Sequence, residues 1–443
     1  MRVLLNKSFF SKLLIGLLLL QITSLAQAVL RIEITQGIEG ALPIAIVPFG
    51  IEATNYKPQY RVAEIVSADL GRSGKFKPVE KSQMKQMPHY GKDINYEAWR
   101  AQGVENLVVG RIRSVGGSKI EIQFQLIDVI RKRQLLGYSL PTDIKRLRNA
   151  AHDISDIIYE KITGSPGAFN TRMAYIKALG DSIDDRHYVL QVADSDGFNA
   201  HTVLESNEPL MSPSWSHDGR SLAYVSFESH RSEIYIQKLA TAKRIKISGF
   251  SGINGAPMWS PDDRFLALTL SKDGNPEIYI LEIATRRLRR LTKNRAIDTE
   301  PVWLPDGKSL IFTSDRSGGP QLYEMSIDAK GRSKRLTFEG KYNARAAISP
   351  DGKNIAMVHA EQGKYRIAVM DRATSNLRVL TDGSLDESPS FAPNSDMILY
   401  ASTEKFRGVL AAISVDGRVQ QRLSLADGDV REPAWSPFKE TRR

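Results

Sequence analysis

The residue types that most often do chemistry in proteins are present in this chain, but not in known catalytic arrangements. No Gly-x-Ser-x-Gly sequence occurs, and the near misses at 71–75 and 249–253 lack the second glycine. The seven histidines form neither His-Glu-x-x-His nor a pair at ligand spacing, and no phosphate-binding loop or dinucleotide fingerprint is present. Zero cysteines exclude a thiol nucleophile and thiolate metal sites. The sequence therefore predicts a protein that is not an enzyme.

Acidic residues offer one possible metal site and two pairs with a possible catalytic role. Residues 194–197, Asp-Ser-Asp-Gly, resemble the start of a calcium loop but lack the later ligands, so a turn is expected there. The paired acids at 184–185 and 262–263 are also expected in loops or turns. No cofactor is predicted. A cation held by loop acids in the central channel is left as an alternative.

A short sequence built around tryptophan recurs six times in the C-terminal half of the chain. The matching stretches are SPSWSHDGRSLAYVS (Trp215), APMWSPDDRFLALTL (Trp259), EPVWLPDGKSLIFTS (Trp303), RAAISPDGKNIAMVH (Ile348), SPSFAPNSDMILYAS (Phe391) and EPAWSPF (Trp435). Their spacings are 44, 44, 45, 43 and 44 residues, and four of the five tryptophans occupy this one position, here called the tryptophan slot. Such a fixed period predicts a repeat protein with one structural unit per repeat.

Each unit reads as four short strands, which is one blade of a β-propeller. Ser-Pro-Asp-Gly or a near relative follows the slot and suits a tight turn. The large slot residue should pack between neighbouring blades. The last stretch, at 431–437, has no strands after it, whereas 172–204 has later strands but no tryptophan strand. Together they make a sixth blade, so the C-terminal strand is predicted to close the ring.

The fold class predicted is an α/β N-terminal domain followed by an all-β six-bladed β-propeller closed by the C-terminal strand. Residues 29–163 lack the period and combine apolar strands at 42–49 and 106–112 with amphipathic helical patterns. Residues 164–170 are the predicted linker, and 171–443 are the predicted propeller.

The first 36 residues divide into two parts. Residues 1–28 have a basic start, an apolar run and Ala-Gln-Ala, which predicts a cleaved signal peptide and an exported protein. Residues 29–36 then alternate apolar and polar side chains. This segment is either an edge strand of the α/β domain or a detachable strand that pairs with another protein by strand addition.

The net charge of +11 is spread along the chain, with only short basic clusters at 131–133 and 286–290. Nucleic acid is not an expected partner, since no basic helix or aromatic-basic sheet is evident.

Function is expected instead on the propeller loops that lead into the innermost strands. The candidate residues there are Asn254, Ala256, Asp298, Thr299, Glu300, Asn343, Arg345, Asp386, Glu387 and Glu432.

The layout of signal peptide, small α/β domain and six-bladed ring resembles the TolB family of the bacterial Tol–Pal envelope system. The sequences PIAIVPF (43–49), NGAPMWSPD (254–262), TEPVWLPDGKSLIFTSD (299–315) and REPAWSP (431–437) carry the resemblance, which spans the whole mature chain. It implies a non-catalytic periplasmic adaptor, monomeric and touching membranes only through its partners. The family supports outer-membrane integrity and envelope constriction at cell division.

The resemblance also assigns partners to two segments. The propeller mouth would bind the lipoprotein Pal and adds Gly255 and Pro257 to the candidates above; together these twelve are called the mouth residues. The N-terminal strand would bind the C-terminal domain of TolA through Val29, Leu30, Arg31, Ile32, Glu33, Ile34, Thr35 and Gln36. At the position before Asn254 this chain has Ile253, where members of the family can carry a polar histidine. A rival hypothesis is an exported hydrolase that uses the ring as a scaffold for peptides or glycans.

Overall fold

The computed structural model describes residues 31–36, 40–52, 60–180, 185–328, 332–424 and 428–439. The predicted signal peptide, and Val29 and Leu30 of the predicted N-terminal strand, lie outside these ranges. None of the helices in the described ranges has the length and apolar character needed to cross a membrane.

The α/β domain is built on one mixed sheet with helices on both faces. Its strands are β2 (Leu42–Ile46), β3 (Gly50–Ile51), β4 (Phe76–Pro78), β5 (Asn106–Gly116), β6 (Lys119–Asp128) and β7 (Arg133–Asp143). The sheet order is β4-β2-β5-β6-β7, with β3 beside β5. Its helices are α1 (Val62–Arg72), α2 (Tyr96–Arg100) and α3 (Leu147–Thr163), with short 3-10 turns at Lys81–Gln83, Gly91–Asp93 and Ile144–Arg146.

The apolar periodicity of α1 and α3 explains how they cover the sheet. Val66 of α1 and Ile154 and Ile158 of α3 are fully buried in one apolar cluster with side chains of the sheet, including Phe124 of β6. Helix α3 ends at Gly164, whose φ of 79° is the left-handed conformation that glycine adopts without strain. The first propeller strand begins a few residues later, at Arg172.

The propeller has six four-stranded blades among the described residues. Blade 1 contains β8 (Arg172–Leu179), β9 (His187–Asp194), β10 (His201–Ser206) and, as its inner strand, β31 (Asp429–Trp435). Blade 2 contains β11 (Leu210–Trp215), β12 (Ser221–Ser226), β13 (Glu233–Lys238) and β14 (Arg244–Ser248), and blade 3 contains β15 (Asn254–Trp259), β16 (Phe265–Leu270), β17 (Glu277–Glu282) and β18 (Leu288–Arg290). Blade 4 contains β19 (Asp298–Trp303), β20 (Ser309–Ser314), β21 (Gln321–Ser326) and β22 (Lys334–Arg335). Blade 5 contains β23 (Tyr342–Ile348), β24 (Asn354–Glu361), β25 (Lys364–Asp371) and β26 (Leu377–Val379), and blade 6 contains β27 (Asp386–Phe391), β28 (Met397–Glu404), β29 (Arg407–Ser414) and β30 (Gln420–Ser424).

The tryptophan slot joins neighbouring blades, as the sequence predicts. The indole of Trp259 donates to the Ser214 carbonyl of the preceding blade at 3.1 Å, and that of Trp303 donates to Met258 at 3.2 Å. Trp215 reaches back to β31, the inner strand of blade 1, donating to the Ala434 carbonyl at 3.0 Å. Each of these three indoles therefore satisfies a carbonyl on the inner strand of the preceding blade while its ring fills the space between two sheets.

The C-terminal strand closes the ring. β31 pairs antiparallel with β8, from Asp429 opposite Ala178 to Trp435 opposite Met173. The six-bladed propeller with this closure is thus confirmed.

The N-terminal strand β1 (Arg31–Gln36) lies on the propeller, not on the α/β sheet. It pairs antiparallel with β30 as a fifth strand of blade 6, with Glu33 opposite Arg422. The Thr35 hydroxyl also donates to the Gln420 carbonyl at 3.3 Å. The interpretation of this segment as an edge strand of the α/β domain is therefore wrong, because the strand pairs with blade 6 of the propeller. Whether the strand detaches stays a prediction.

Ending the chain at Val430 should lower the thermal midpoint by roughly 10 °C or more, because blade 1 then loses its inner strand and blades 1 and 6 lose their connection. Differential scanning calorimetry measures this. A matched truncation after Lys439 removes only the last four residues and should melt like the full chain. Equal midpoints for both truncations would contradict this role of β31.

Candidate functional site

The propeller has two distinct faces. The upper face carries the loops that precede each inner strand and those that join second and third strands. The lower face carries the other turns, and the α/β domain contacts it: Tyr159 donates to Asp396 at 3.0 Å in blade 6, and Arg72 donates to Ser195 at 3.2 Å in blade 1. The mouth residues start the inner strands, so the candidate site faces away from the α/β domain.

Four mouth residues support the loops from beneath. Asn254, Asp298, Asn343 and Asp386 occupy equivalent positions, five residues before the slot, and all are at most 1% exposed. The Asn254 side-chain oxygen Oδ1 accepts from the Ser248 hydroxyl at 2.6 Å and from the Phe250 backbone amide at 3.0 Å, while the Asp298 carboxylate accepts twice from Arg316 at 2.7–2.8 Å. The sequence interpretation placed these side chains on the surface. The structure buries them because the loop that bends into each inner strand needs its backbone and side-chain polar groups satisfied.

A second set of equivalent residues bends every inner strand. Three positions before the slot, all six residues have positive φ, between 46° and 56°, and none is glycine. The pairing register breaks next to each of them, which is a β-bulge. These residues are Ser212, Ala256, Glu300, Arg345, Ser388 and Glu432. They form one ring around the channel and line a cavity of about 470 Å³.

Three members of this ring form an ion-paired group across the channel. The Arg345 guanidinium contacts Glu432 at 2.7 Å and Glu300 at 3.4 Å, and the Arg345 amide donates to Glu300 at 2.9 Å. Burial acts to lower the pKa of Arg345, but Glu432 and Glu300 together raise it. Both channel carboxylates are thus already paired with a fixed cation, and the ring is braced between blades 1, 4 and 5.

Exposed apolar side chains surround the mouth. Ile253 and Ile297 each precede a buried loop-support residue and are both 49% exposed; Met211, Phe250 and Leu385 are 40–42% exposed. Several exposed apolar side chains on one face of a folded protein favour an interaction surface there. Sequence reasoning noted Ile253 only as a departure from a family. The sequence signal that could have identified these exposed side chains is their position in the repeat, since Ile253 directly precedes Asn254 and Ile297 directly precedes the equivalent Asp298.

The apolar ring continues outward over blades 5 and 6. Tyr342 packs edge-to-face against Tyr365 with ring centroids 5.3 Å apart, and the Tyr365 amide donates to Ser384 at 3.0 Å, beside Leu385. Phe406, at the tip of the β28–β29 hairpin, is fully exposed. Gly255, Ala256, Thr299 and Glu387 are half-buried between these groups and the channel, whereas Pro257 is buried. The arrangement suits binding of a protein surface, with apolar anchors and a polar centre.

Comparison with known proteins gives the same two domains. The model of the TolB amino-terminal domain matches residues 30–135, and that of the TolB beta propeller domain matches residues 159–439. This chain belongs to the TolB family. The Tol-Pal system protein TolB of Thioalkalivibrio sulfidiphilus (strain HL-EbGR7) is 56% identical over 414 residues, covering 93% of this chain and 95% of the relative. That of Xanthomonas campestris pv. campestris (strain B100) is 54% identical over 425 residues, covering 95% and 96%.

The solved structures support the same assignment. The crystal structure of TolB from Acinetobacter baumannii superposes with a TM-score of 0.85 at 43% identity, covering 92% of this chain and 100% of that chain. The predicted TolB resemblance and fold class are therefore confirmed. As a TolB-family member, this chain is a Tol–Pal system component of the cell envelope.

Replacing Arg345 with methionine should destabilise the propeller by up to about 3 kcal/mol at neutral pH, because Glu300 and Glu432 then share the channel without their cation. Chemical denaturation at neutral pH measures the loss. Adding Glu432→Gln to the methionine variant should recover part of the stability at neutral pH; no recovery would contradict an electrostatic cause.

Proposed function

We propose that this TolB-family chain is a non-catalytic periplasmic adaptor that links the outer-membrane lipoprotein Pal to the inner-membrane protein TolA. In this role it supports outer-membrane integrity and envelope constriction at cell division. The observation that carries the proposal is the ring of exposed apolar side chains around a rigid mouth, on the face opposite the α/β domain.

The mouth is the proposed Pal site. Its loops are held by buried polar side chains such as Asn254 and Asp298, and its centre by the Arg345 ion pairs, so little ordering is needed on binding. Ile253, Ile297 and Leu385 supply apolar anchors around that centre. We therefore assign direct partner contact to these exposed groups and to Thr299 and Glu387, and a supporting role to the four buried mouth residues.

The strand β1 is the proposed TolA site. It is the outermost strand of blade 6, so backbone pairing with β30 holds it on one side only. Its register with β30 shifts between Ile34 and Gln36, and Glu33 and Thr35 are exposed. An edge strand attached in this way presents free backbone groups to a partner strand, either in place or after release.

The rival hydrolase hypothesis gains nothing from the buried acid–histidine pair at Asp69 and His152. Asp69 and His152 lie at the domain interface and are each 1% exposed. The nearby Ser155 hydroxyl donates to Asp69 at 2.7 Å, not to His152, so the serine has no base.

Replacing Ile253 with lysine should weaken Pal binding by tenfold or more, because a charge replaces an apolar anchor that becomes buried in the complex; roughly 1.4 kcal/mol corresponds to tenfold. Isothermal titration calorimetry with purified Pal measures the change. The matched control is Ile245→Lys, which alters an isoleucine of similar exposure (38%) on the outer strand of blade 2. If both variants bind Pal like the parent protein, the mouth is not the site.

Deleting residues 29–36 should abolish binding of the TolA C-terminal domain and leave Pal binding measurable, because only the N-terminal strand is removed. A pull-down with each purified partner separates the two outcomes. A chain in which Glu33 and Thr35 are both alanine keeps the backbone and should still bind TolA if pairing is through the strand ladder. Unchanged TolA binding after the deletion would sink this assignment.

A further inference from the structure

The sheet of the α/β domain leaves part of one face uncovered. Phe124 of β6 shares an apolar cluster with α1 and α3, so the alternation of side chains places Gln123 and Gln125 on the opposite face. On that opposite face, Trp99 of α2 shares a second apolar cluster with Val109 of β5. Helix α2 spans only five residues, so the glutamine end of this face lies beyond its cover.

A polar trough of about 560 Å³ occupies the uncovered part of the face and is called the sheet trough. Its floor belongs to β5, β6 and β7, and one wall is the segment 89–92. This volume is in the range of sites that hold a small ligand. The polar side chains that line it are Lys92, Arg111, Gln123, Gln125, Gln134 and Ser139.

A chain of hydrogen bonds fixes the amides of the trough. The Gly91 backbone amide donates to Gln125 Oε1 at 3.0 Å, and Gln125 Nε2 donates to Gln134 Oε1 at 2.7 Å. Gln123 Nε2 donates to Glu121 at 3.1 Å. A carboxamide nitrogen carries two protons, and these bonds use at most one proton of each glutamine. The trough therefore offers N–H donors in fixed positions to a ligand that is rich in acceptors.

Two glycines keep the trough open. A Cβ at Gly137 of β7 would lie 2.7 Å from Gln134 Nε2, and a Cβ at Gly91 would lie 2.8 Å from Gln125 Oε1. A side chain at either position would push on the amide chain and take up space in the trough. Glycine inside a strand weakens the strand, and it often marks a place where a ligand approaches closely.

Two cations stand at the wall of the trough. The Arg111 guanidinium lies 4.4 Å from the ring centroid of Tyr90, and the Lys92 ammonium lies 5.5 Å from the same centroid. Glu52 accepts a hydrogen bond from the Tyr90 hydroxyl and lies 3.5 Å from Arg111 Nε. At that distance the arginine is positioned more by the aromatic ring than by a close ion pair.

The carboxylate on the other side of the trough is already occupied. Glu121 accepts hydrogen bonds from Arg113 and from the Ser139 hydroxyl, in addition to the one from Gln123. The Arg111 guanidinium and the Lys92 ammonium are therefore the charged groups with which a ligand can pair, and they favour an anion.

A sugar chain suits the trough better than a peptide strand. In the sheet, β5 lies between β2 and β6, and β6 lies between β5 and β7, so the middle of the floor has no free backbone edge for an added strand. Recognition there depends on side-chain amides, one hydroxyl and two cations. These groups match the hydroxyl, acetamido and carboxylate oxygens of an acidic sugar.

We propose that the sheet trough binds an acidic oligosaccharide that carries acetamido groups. Its carboxylate pairs with Arg111 and Lys92, and its acetamido and hydroxyl oxygens accept from Gln123, Gln125 and Gln134. The proposal goes beyond the contacts with Pal and TolA, because the trough lies on the α/β sheet and shares no residue with the mouth or with β1.

Ligand-observed NMR titration of the full mature chain tests the choice of ligand. The disaccharide of N-acetylglucosamine and N-acetylmuramic acid, which has both groups, should bind with a Kd of about 1 mM or below. Neutral di-N-acetylchitobiose lacks the carboxylate and should bind several-fold more weakly. Triglutamate has carboxylates without a sugar and should show no saturable binding. No binding of the acidic disaccharide, or equally tight binding of triglutamate, overturns the proposal.

Variants test the location of the site. Arg111→Met should weaken binding of the acidic disaccharide about tenfold and remove its advantage over the neutral one, because only the carboxylate contact is lost. Gln125→Leu should weaken binding of both sugars. Gly137→Val suits a strand and partly fills the trough, so it should also weaken both and serves if Arg111→Met does not fold.

The matched control is Arg61→Met, which removes an exposed arginine paired with Glu64 at 3.0 Å and should keep the parent affinity. Pal binding, measured on the same samples, should stay at the parent value in all four variants, so a failure of the mouth site is seen separately. If Arg111→Met and Gly137→Val both bind the acidic disaccharide like the parent chain, the sheet trough is not the site.

Discussion

The contact between each tryptophan-slot side chain and the inner strand of the preceding blade is the interaction on which the rest of this structure depends. Three of the tryptophans make it as a hydrogen bond to a backbone carbonyl, and at the junction of blades 1 and 2 this carbonyl belongs to β31, which enters from the far end of the chain. Trp435 donates instead to the Thr171 side chain, and Ile348 and Phe391 contribute apolar packing. An indole both fills the gap between sheets and satisfies a backbone acceptor there. Without a fixed spacing between neighbouring blades, the loops of the upper face would not be held in fixed positions relative to one another.

The functional surface follows from this frame in two steps. Each inner strand bulges at a residue with positive φ just before the slot, which turns six side chains toward the channel. The loop before each of four inner strands folds over a buried polar residue, which leaves the preceding apolar residue facing outward, as at Ile253 and Ile297. Polar burial and apolar exposure at adjacent positions are two results of one loop geometry.

The sequence predicted the features that recur in every repeat. It did not predict the features that depend on contacts between distant parts of the chain. The period of about 44 residues was enough to predict the number of blades and the closure of the ring by the C-terminal strand. It could not show that Asn254 and Asp298 are buried, because polar loop residues that bind partners and those that support loops have the same composition. The Arg345–Glu432 pair joins positions 87 residues apart, and β1 pairs with a strand nearly 400 residues later. Neither local propensity nor spacing encodes such pairings.

The two proposed binding segments share one sheet, which sets a condition on any communication between them. In blade 6, β27 begins at the mouth with Asp386 and Glu387, and the order β27-β28-β29-β30-β1 leads directly to the N-terminal strand. Shared hydrogen bonds do not by themselves couple two sites; the mouth partner must bind the docked and free states of β1 with different affinity. The α/β domain touches that sheet at β30, where the backbone carbonyl of Arg72 accepts a hydrogen bond from the Gln421 side chain. The mouth and the α/β domain are therefore both connected to β1 through the same strand, β30.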